Sequence, residues 1–100
     1  MIENKKQLTK QQWEKLVETY ENATHKKQGA MDCKTWDFKV YIDEDKNIYL
    51  SYLYEIQGIL KNVSKMFIKF EPSGKKKVMN DENYTREELD KYFEKLIEIK

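Results

Sequence analysis

Two runs of alternating apolar and polar residues, separated by a short polar break, constrain the fold of this chain most strongly. Apolar residues occupy every second position from Trp36 to Ile42 and again from Ile48 to Ile56. This period of two is typical of half-buried strands, and the acidic break at 43–47 is rich in turn-forming residues. The pattern predicts an antiparallel hairpin that starts from an Ile42–Ile48 pair. The further predicted pairs are Val40 with Leu50, Phe38 with Tyr52, and Trp36 with Tyr54.

An amphipathic helix is predicted on each side of the hairpin. Thr9 and Thr85 each precede an apolar stripe with helical spacing, and a Gln or Glu three residues later completes a capping box. The first helix is expected at about 10–23. The second is expected to close the chain, because its apolar stripe continues from Leu89 to Ile97.

The strands after the hairpin are less regular. Alternation predicts a third strand at 65–71, and a turn at 72–74 leaves 75–79 as a candidate fourth strand. The link at 57–64 is interpreted either as an irregular loop or as a bulge at Gly58.

The order of these elements predicts an α+β fold: a helix, an antiparallel meander of three or four strands, and a second helix. A chain of 100 residues accommodates one domain, so residues 1–100 are expected to form a single unit. Two amphipathic helices pack most simply on the same apolar face of a sheet, and this arrangement is the one predicted.

Composition argues against several classes of protein. Cys33 is the only cysteine, so an intramolecular disulfide cannot form, and a reducing, cytoplasmic location is expected. A net charge of +1 argues against disorder, and the sequence has neither a long apolar run nor an export signal, so no membrane association is expected. Eighteen lysines accompany a single arginine, a bias compatible with a phage or mobile element of a low-GC bacterium.

The turn sequence Asp43-x-Asp45-x-Asn47 is similar to the start of a calcium-binding loop, in which oxygen ligands alternate. The sixth position of such a loop is glycine and the twelfth is glutamate, whereas this chain has Ile48 and Tyr54 there. A solvated hairpin turn is therefore the preferred interpretation, and no metal site is predicted.

His25 and Cys33 are of the residue types that form a base and thiol pair. A nucleophile also requires an orienting third group and an oxyanion site, and both residues fall in an unpatterned segment. Two such residues are also too few for a tetrahedral zinc site. No catalytic residue, cofactor or small-molecule substrate is predicted.

The sheet face left bare by two helices on the other side is the main candidate for function. Alternation turns aromatic and aliphatic side chains outward there, together with two lysines. Exposed apolar area of this kind typically marks an interaction site. The alternative interpretation is that a third layer of chain, from 1–8 or 24–34, covers it. The candidate partner-binding residues are Tyr41, Tyr49, Leu53, Phe67, Lys39 and Lys69.

A second candidate surface is basic. Residues 61–80 carry six lysines and one glutamate, a net charge of 6 − 1 = +5 in a chain that is nearly neutral overall. Lysines also protect strand edges against aggregation, so a solvated edge is an equally good interpretation. The residues of this basic segment are Lys61, Lys65, Lys75, Lys76 and Lys77, in addition to Lys69.

Two functions are compatible with these surfaces. The preferred hypothesis is a non-enzymatic protein-binding module, such as a small inhibitor, an adaptor or a homodimer, that uses the aromatic face. The alternative is nucleic-acid binding, with lysines on phosphates and aromatic rings stacked on bases. A sequence pI near 7.7 favours the first, because dedicated nucleic-acid domains tend to exceed about 9.

Overall fold

The computed structural model describes residues 7–24, 33–56, 63–79 and 84–99. In chain order the elements are α1 (Lys10–Thr24), β1 (Cys33–Ile42), β2 (Ile48–Ile56), β3 (Val63–Phe70), β4 (Lys76–Val78), α2 (Arg86–Glu94) and β5 (Ile97–Ile99). The strands form one antiparallel sheet in the order β4-β3-β2-β1-β5. The predicted α+β class and the order of helix, strands and helix are confirmed.

The predicted hairpin is formed by β1 and β2, and its register near the turn is confirmed. The Asp43 N–H donates to the Asn47 carbonyl at 3.1 Å, and the Lys46 N–H donates to the Asp43 carbonyl at 3.2 Å. These two bonds close the turn between the strands. The confirmed pairs are Ile42 with Ile48 and Val40 with Leu50.

A β-bulge interrupts β1 between Trp36 and Lys39. Asp37 has a φ of 58°, and aspartate is among the residues that tolerate this left-handed conformation. The extra residue reverses the side of the sheet that each β1 residue before it faces, so Trp36 lies opposite Leu53. The predicted pair of Trp36 with Tyr54 is therefore wrong.

The bulge also decides which β1 side chains face α1. Phe38 still stacks on Tyr52, with ring centres 4.9 Å apart. Thr35 takes the position opposite Tyr54, and its hydroxyl donates to the Ala23 carbonyl near the end of α1 at 3.3 Å. A threonine, rather than the tryptophan, therefore lies against the end of α1.

The two helices lie on opposite faces of the sheet, so the prediction that both share one face is wrong. α1 buries Leu16 and Ala23 against one face, and α2 packs Leu89 and Phe93 against the other. Both faces carry large apolar side chains, and the burial of each set beneath a helix stabilises the fold. The first core consists of Leu16, Ala23, Val40, Ile42, Ile48, Leu50, Tyr52, Ile68, Phe70 and Ile99. The second core consists of Tyr49, Phe67 and Met79, with Tyr41, Tyr84, Leu89, Phe93 and Leu96 packed around them.

A buried glutamine attaches the start of α1 to the β1–β2 turn and to the end of β3. The fully buried side-chain amide of Gln12 donates to the carbonyls of Lys46 at 2.8 Å and Phe70 at 3.0 Å. Its Oε1 accepts the Thr9 N–H at 3.0 Å, while the Thr9 hydroxyl accepts the Gln12 N–H at 3.1 Å. The Thr9 hydroxyl also donates to the Pro72 carbonyl at 2.7 Å. The predicted capping box at Thr9 is confirmed.

The C-terminal region differs from the prediction in its last turn. The capping box formed by Thr85 and Glu88 is confirmed, but α2 ends at Glu94 and does not reach Ile97. Ile97 and Ile99 alternate with a glutamate, and β-branched residues at a period of two favour an extended strand. This segment forms β5, which pairs with the end of β1.

The remaining strands agree closely with expectation. β3 begins at Val63, two residues before the predicted start, and the candidate fourth strand is present as β4 and pairs with β3. Of the link predicted at 57–64, residues 57–62 lie outside the described residues. Neither of the described helices has the length and apolar character needed to cross a bilayer.

Candidate functional site

The aromatic set predicted on an exposed sheet face is instead the centre of the second core. Tyr49 and Phe67 are only 1% and 3% exposed, and their rings stack with centres 5.4 Å apart. Phe93 of α2 stacks on Phe67 at 4.6 Å and meets the half-buried Tyr41 edge-on at 5.8 Å. The expectation that these three sheet residues lie in water is therefore wrong. A third layer covers them, and α2 supplies that layer.

The acidic turn is tied to the second core by one hydrogen bond. The Tyr49 hydroxyl donates to Oδ2 of Asp43 at 2.7 Å. The Asn47 side-chain amide donates to the same oxygen at 3.0 Å, and the backbone N–H groups of Asp45 and Asn47 donate to Oδ1, each at 2.9 Å. The Asp43 carboxylate therefore organises the turn, as expected from the hairpin-turn interpretation of this calcium-like sequence.

These contacts shift two pKa values in opposite directions. Burial raises the pKa of Tyr49, and the adjacent Asp43 carboxylate raises it further. Partial burial acts to raise the pKa of Asp43, but hydrogen bonds from Asn47, Tyr49 and Asp45 outweigh it and hold that pKa below its ordinary value. At neutral pH the phenol is protonated and the carboxylate ionised. In the described ranges, no group of three or more His, Cys, Asp or Glu side chains is arranged to hold a metal ion.

α2 covers only part of its side of the sheet. Its nine residues span about 13 Å, whereas the ten residues of β1 span about 33 Å. α2 lies over the part that contains Tyr41 and Phe67, where Phe93 packs. On the same side, the sheet continues past α2 through the paired residues Trp36 and Leu53.

Trp36 and Leu53 form the centre of a mixed apolar and basic surface. Both side chains are half-buried, and Lys65 of β3 lies opposite Leu53. The Lys34 Nζ is 5.7 Å from the centre of the Trp36 ring, and Val63, at the start of β3, is 54% exposed. We call this surface the Trp36 patch, and its residues are Trp36, Leu53, Val63, Lys34, Lys39 and Lys65.

The predicted partner-binding residues are thus separated. Leu53 and Lys39 belong to the Trp36 patch, whereas Lys69 is half-buried between neighbours on β2 and β4. Trp36 is the functional candidate that the alternation pattern missed, because that pattern directs it towards α1. The signal for the bulge is weak: Asp37 is a residue type that adopts a positive φ more readily than most.

The predicted basic segment does not form one continuous surface. The α2 side of the sheet carries three of its lysines, which are Lys65, Lys69 and Lys77. Lys76 lies on the α1 side, and Lys75 lies in the turn before β4. Lys61 lies outside the described residues. The Lys65 ammonium lies 4.5 Å from the ring centre of Phe93, and that of Lys77 lies 5.2 Å from the ring centre of Tyr84.

The Trp36 patch brings together a large aromatic side chain, aliphatic side chains and cations on one part of the described surface. Its chemistry is the basis for assigning a function, because comparisons with protein-family models, with curated proteins and with solved structures found no match for this chain.

Proposed function

We propose that this chain is a non-enzymatic protein-binding module and that the Trp36 patch is its binding surface. The observation that supports the proposal is the pairing of Trp36 with Leu53 outside the area covered by α2. Tryptophan is enriched among the few residues that dominate the binding energy of protein interfaces. Its ring supplies a large apolar area while the indole N–H remains able to bind a polar group.

The charges around the patch indicate the chemistry of the partner. Lys34 and Lys39 are exposed and border the apolar centre, with Glu55 of β2 opposite Lys34, whereas the Lys65 ammonium lies over the Phe93 ring. The contact of Lys39 with Asp37 has an N–O distance of 3.9 Å between half-exposed side chains, so it contributes little and leaves the ammonium group available. We therefore expect the partner to present an apolar side chain with carboxylates beside it.

The proposed module acts in the cytoplasm, where thiols stay reduced, because Cys33 is the only cysteine of the sequence. A small inhibitor and an adaptor would both use a surface of this kind to bind a different protein. A homodimer would use it to bind a second copy, and size-exclusion chromatography of the purified chain distinguishes this case.

Single-stranded nucleic acid is the second candidate partner. Lys65, Lys69 and Lys77 lie on the same side of the sheet as Trp36, an arrangement in which one base stacks on the indole while phosphates follow the lysines. Two observations favour a protein. The ammonium groups of Lys65 and Lys77 already lie over rings of the chain itself, and the first turn of α2 carries exposed carboxylates on that side.

The first experiment compares the proteins retained by the immobilised chain with those retained by its Trp36→Ser variant. We expect Trp36→Ser to lose the partner while keeping nearly the same melting temperature, because among the described residues Trp36 packs in neither core. Trp13→Ser is the matched control. It removes the same side chain from the edge of the first core, and we expect it to cost about 3 kcal/mol of stability. Unchanged retention by Trp36→Ser, or its failure to fold, would overturn the proposal.

The second experiment uses charge reversal at two exposed lysines. Lys39→Glu and Lys76→Glu change the net charge equally, but only Lys39 lies in the Trp36 patch. We expect Lys39→Glu to weaken partner binding at least about tenfold and Lys76→Glu to leave it unchanged. Equal effects would exclude the patch as the site. Binding of a labelled oligothymidine that falls steeply with salt and depends on Trp36 would favour the nucleic-acid candidate instead.

A further inference from the structure

The outer edge of β1 is open along most of its length within the described part of the chain. β5 pairs with β1 only at 40–42, so residues 33–39 have no described strand on their outer side. Backbone N–H and C=O groups on such an edge can bind another extended chain. The open edge adjoins the Trp36 patch, because Lys34, Trp36 and Lys39 belong to both.

The side chains on the α2 side of this edge have a defined order of charge. Lys34 is a cation, Trp36 is aromatic, and Lys39 is again a cation. Pairs of opposite charge, and aromatic side chains beside aliphatic ones, stabilise neighbouring antiparallel strands. An added strand with two carboxylates on either side of one apolar residue is therefore complementary to this edge.

A second copy of the chain matches the charge of this edge less well than an acidic strand does. Residues 33–39 carry two lysines and one aspartate, and an antiparallel pairing of two β1 edges centred between Trp36 and Asp37 places Lys34 of each copy opposite Lys39 of the other. Like charges directly opposite each other destabilise a sheet. The edge therefore favours a strand of opposite charge over its own sequence.

We infer that the outer edge of β1 binds an extended acidic segment of a partner protein as an added antiparallel strand. The segment continues the line of β5, with carboxylates beside Lys34 and Lys39 and an apolar side chain against Trp36. This inference rests on the proposed function and adds the form of the partner, which is a strand rather than a helix or a folded surface.

The test uses a blocked heptapeptide, Thr-Glu-Thr-Leu-Thr-Glu-Thr, as the probe and follows its binding to the full chain by backbone amide NMR. Two isomers of the peptide carry three N-methyl groups each, one on its last three threonines and the other on its two glutamates and leucine. Successive N–H groups of a strand point to opposite edges. Once the acidic side chains lie on the α2 side of an antiparallel strand, only one of these two sets of N–H groups therefore points towards β1. We expect one isomer to bind at least about tenfold more weakly than the other.

The outcomes separate this inference from the proposed function. A difference between the isomers, with shifts in the amides of 33–39 and no binding of a peptide that has lysine in place of glutamate, supports strand addition. Equal behaviour of the isomers, or no binding of the unmethylated peptide, overturns it. If the isomers are equal while retention of the partner still depends on Trp36, the partner contacts the side chains of the patch, and only the strand inference fails.

Discussion

The hydroxyl of Tyr49 donates a hydrogen bond to Oδ2 of Asp43 across 2.7 Å, and this contact joins the β1–β2 turn to the second core. Asp43 also accepts hydrogen bonds from the turn residues Asp45 and Asn47. The Asp43 carboxylate therefore stabilises the turn and also accepts the hydrogen bond of the Tyr49 hydroxyl, which lies beneath α2. A change at Asp43 is expected to affect both regions.

Replacement of Asp43 by asparagine tests the strength of this link. Asp43→Asn removes the charge and one acceptor oxygen, so the Tyr49 hydroxyl or a turn N–H loses its bond. We expect a loss of about 1–3 kcal/mol in the free energy of unfolding, measured with urea at neutral pH. Asp45→Asn is the matched control, because Asp45 is exposed and bonds Asp43 through its backbone N–H. An equal loss in both variants would contradict the assignment.

The same carboxylate makes stability depend on pH. Because the pKa of Asp43 is lower in the folded chain, its ionised form contributes stability above the unfolded pKa of about 4. That contribution is lost as the pH falls through the folded pKa. We expect the unfolding free energies of the wild type and Asp43→Asn to converge as the pH is lowered below about 4. A gap between them that stays constant with pH would assign the effect to shape and not to charge.

A pair of truncations on the α2 side of the sheet distinguishes the second core from the Trp36 patch. Phe67 is buried under Phe93, whereas Leu53 is half-buried beyond α2. We expect Phe67→Ala to cost about 3–5 kcal/mol in thermal or urea unfolding, because it leaves a cavity between two rings. Leu53→Ala is expected to cost about 1 kcal/mol. A small loss of unfolding free energy in Phe67→Ala would show that α2 does not bury this face of the sheet.

Removal of the buried amide of Gln12 tests how α1 is attached. Gln12→Leu has a similar size but leaves the carbonyls of Lys46 and Phe70 without the donor that they share. We expect a loss of about 1–3 kcal/mol for each carbonyl that water cannot reach. Gln11→Leu serves as the control, because the neighbouring glutamine is exposed. Similar unfolding curves for both variants would contradict the role of Gln12.

The cap of α2 is tested by two substitutions at Thr85. Its hydroxyl accepts the Glu88 N–H at 3.2 Å, so Thr85→Ala is expected to cost about 1 kcal/mol in urea unfolding. Thr85→Ser keeps the hydroxyl and is expected to retain most of the stability. If serine and alanine lower the stability equally, the methyl group of Thr85 matters and its hydroxyl does not.

Local rules predict much of this fold. The hydroxyls of Thr9 and Thr85 cap the two helices as predicted, because a capping box depends only on residues within one turn. The hairpin register near the turn is also predicted, since Ile42 and Ile48 are both apolar and the break between them is short. The α+β class follows from the order of these elements.

Long-range features of the fold are not predicted in the same way. The alternation that places Tyr49 and Phe67 on one face does not say which helix covers that face, and the polar side of α2 resembles that of any surface helix. The end of α2 is also ambiguous, because Leu96 and Ile97 fit a helical stripe while Ile97 and Ile99 fit a strand. Pairing with β1, which the local sequence does not encode, decides between them.

The side of the sheet on which Trp36 lies depends on the one-residue bulge in β1. Loss of the single residue Asp37 would remove the residue that has no counterpart on β2, so β1 would become regular with the indole of Trp36 still on the α2 side. If the bulge closed with Asp37 still in place, Trp36 would instead turn to the α1 side and leave the surface on which we propose that it binds a partner. The side of the sheet that carries this indole is thus set by one inserted residue rather than by the identity of the tryptophan's neighbours.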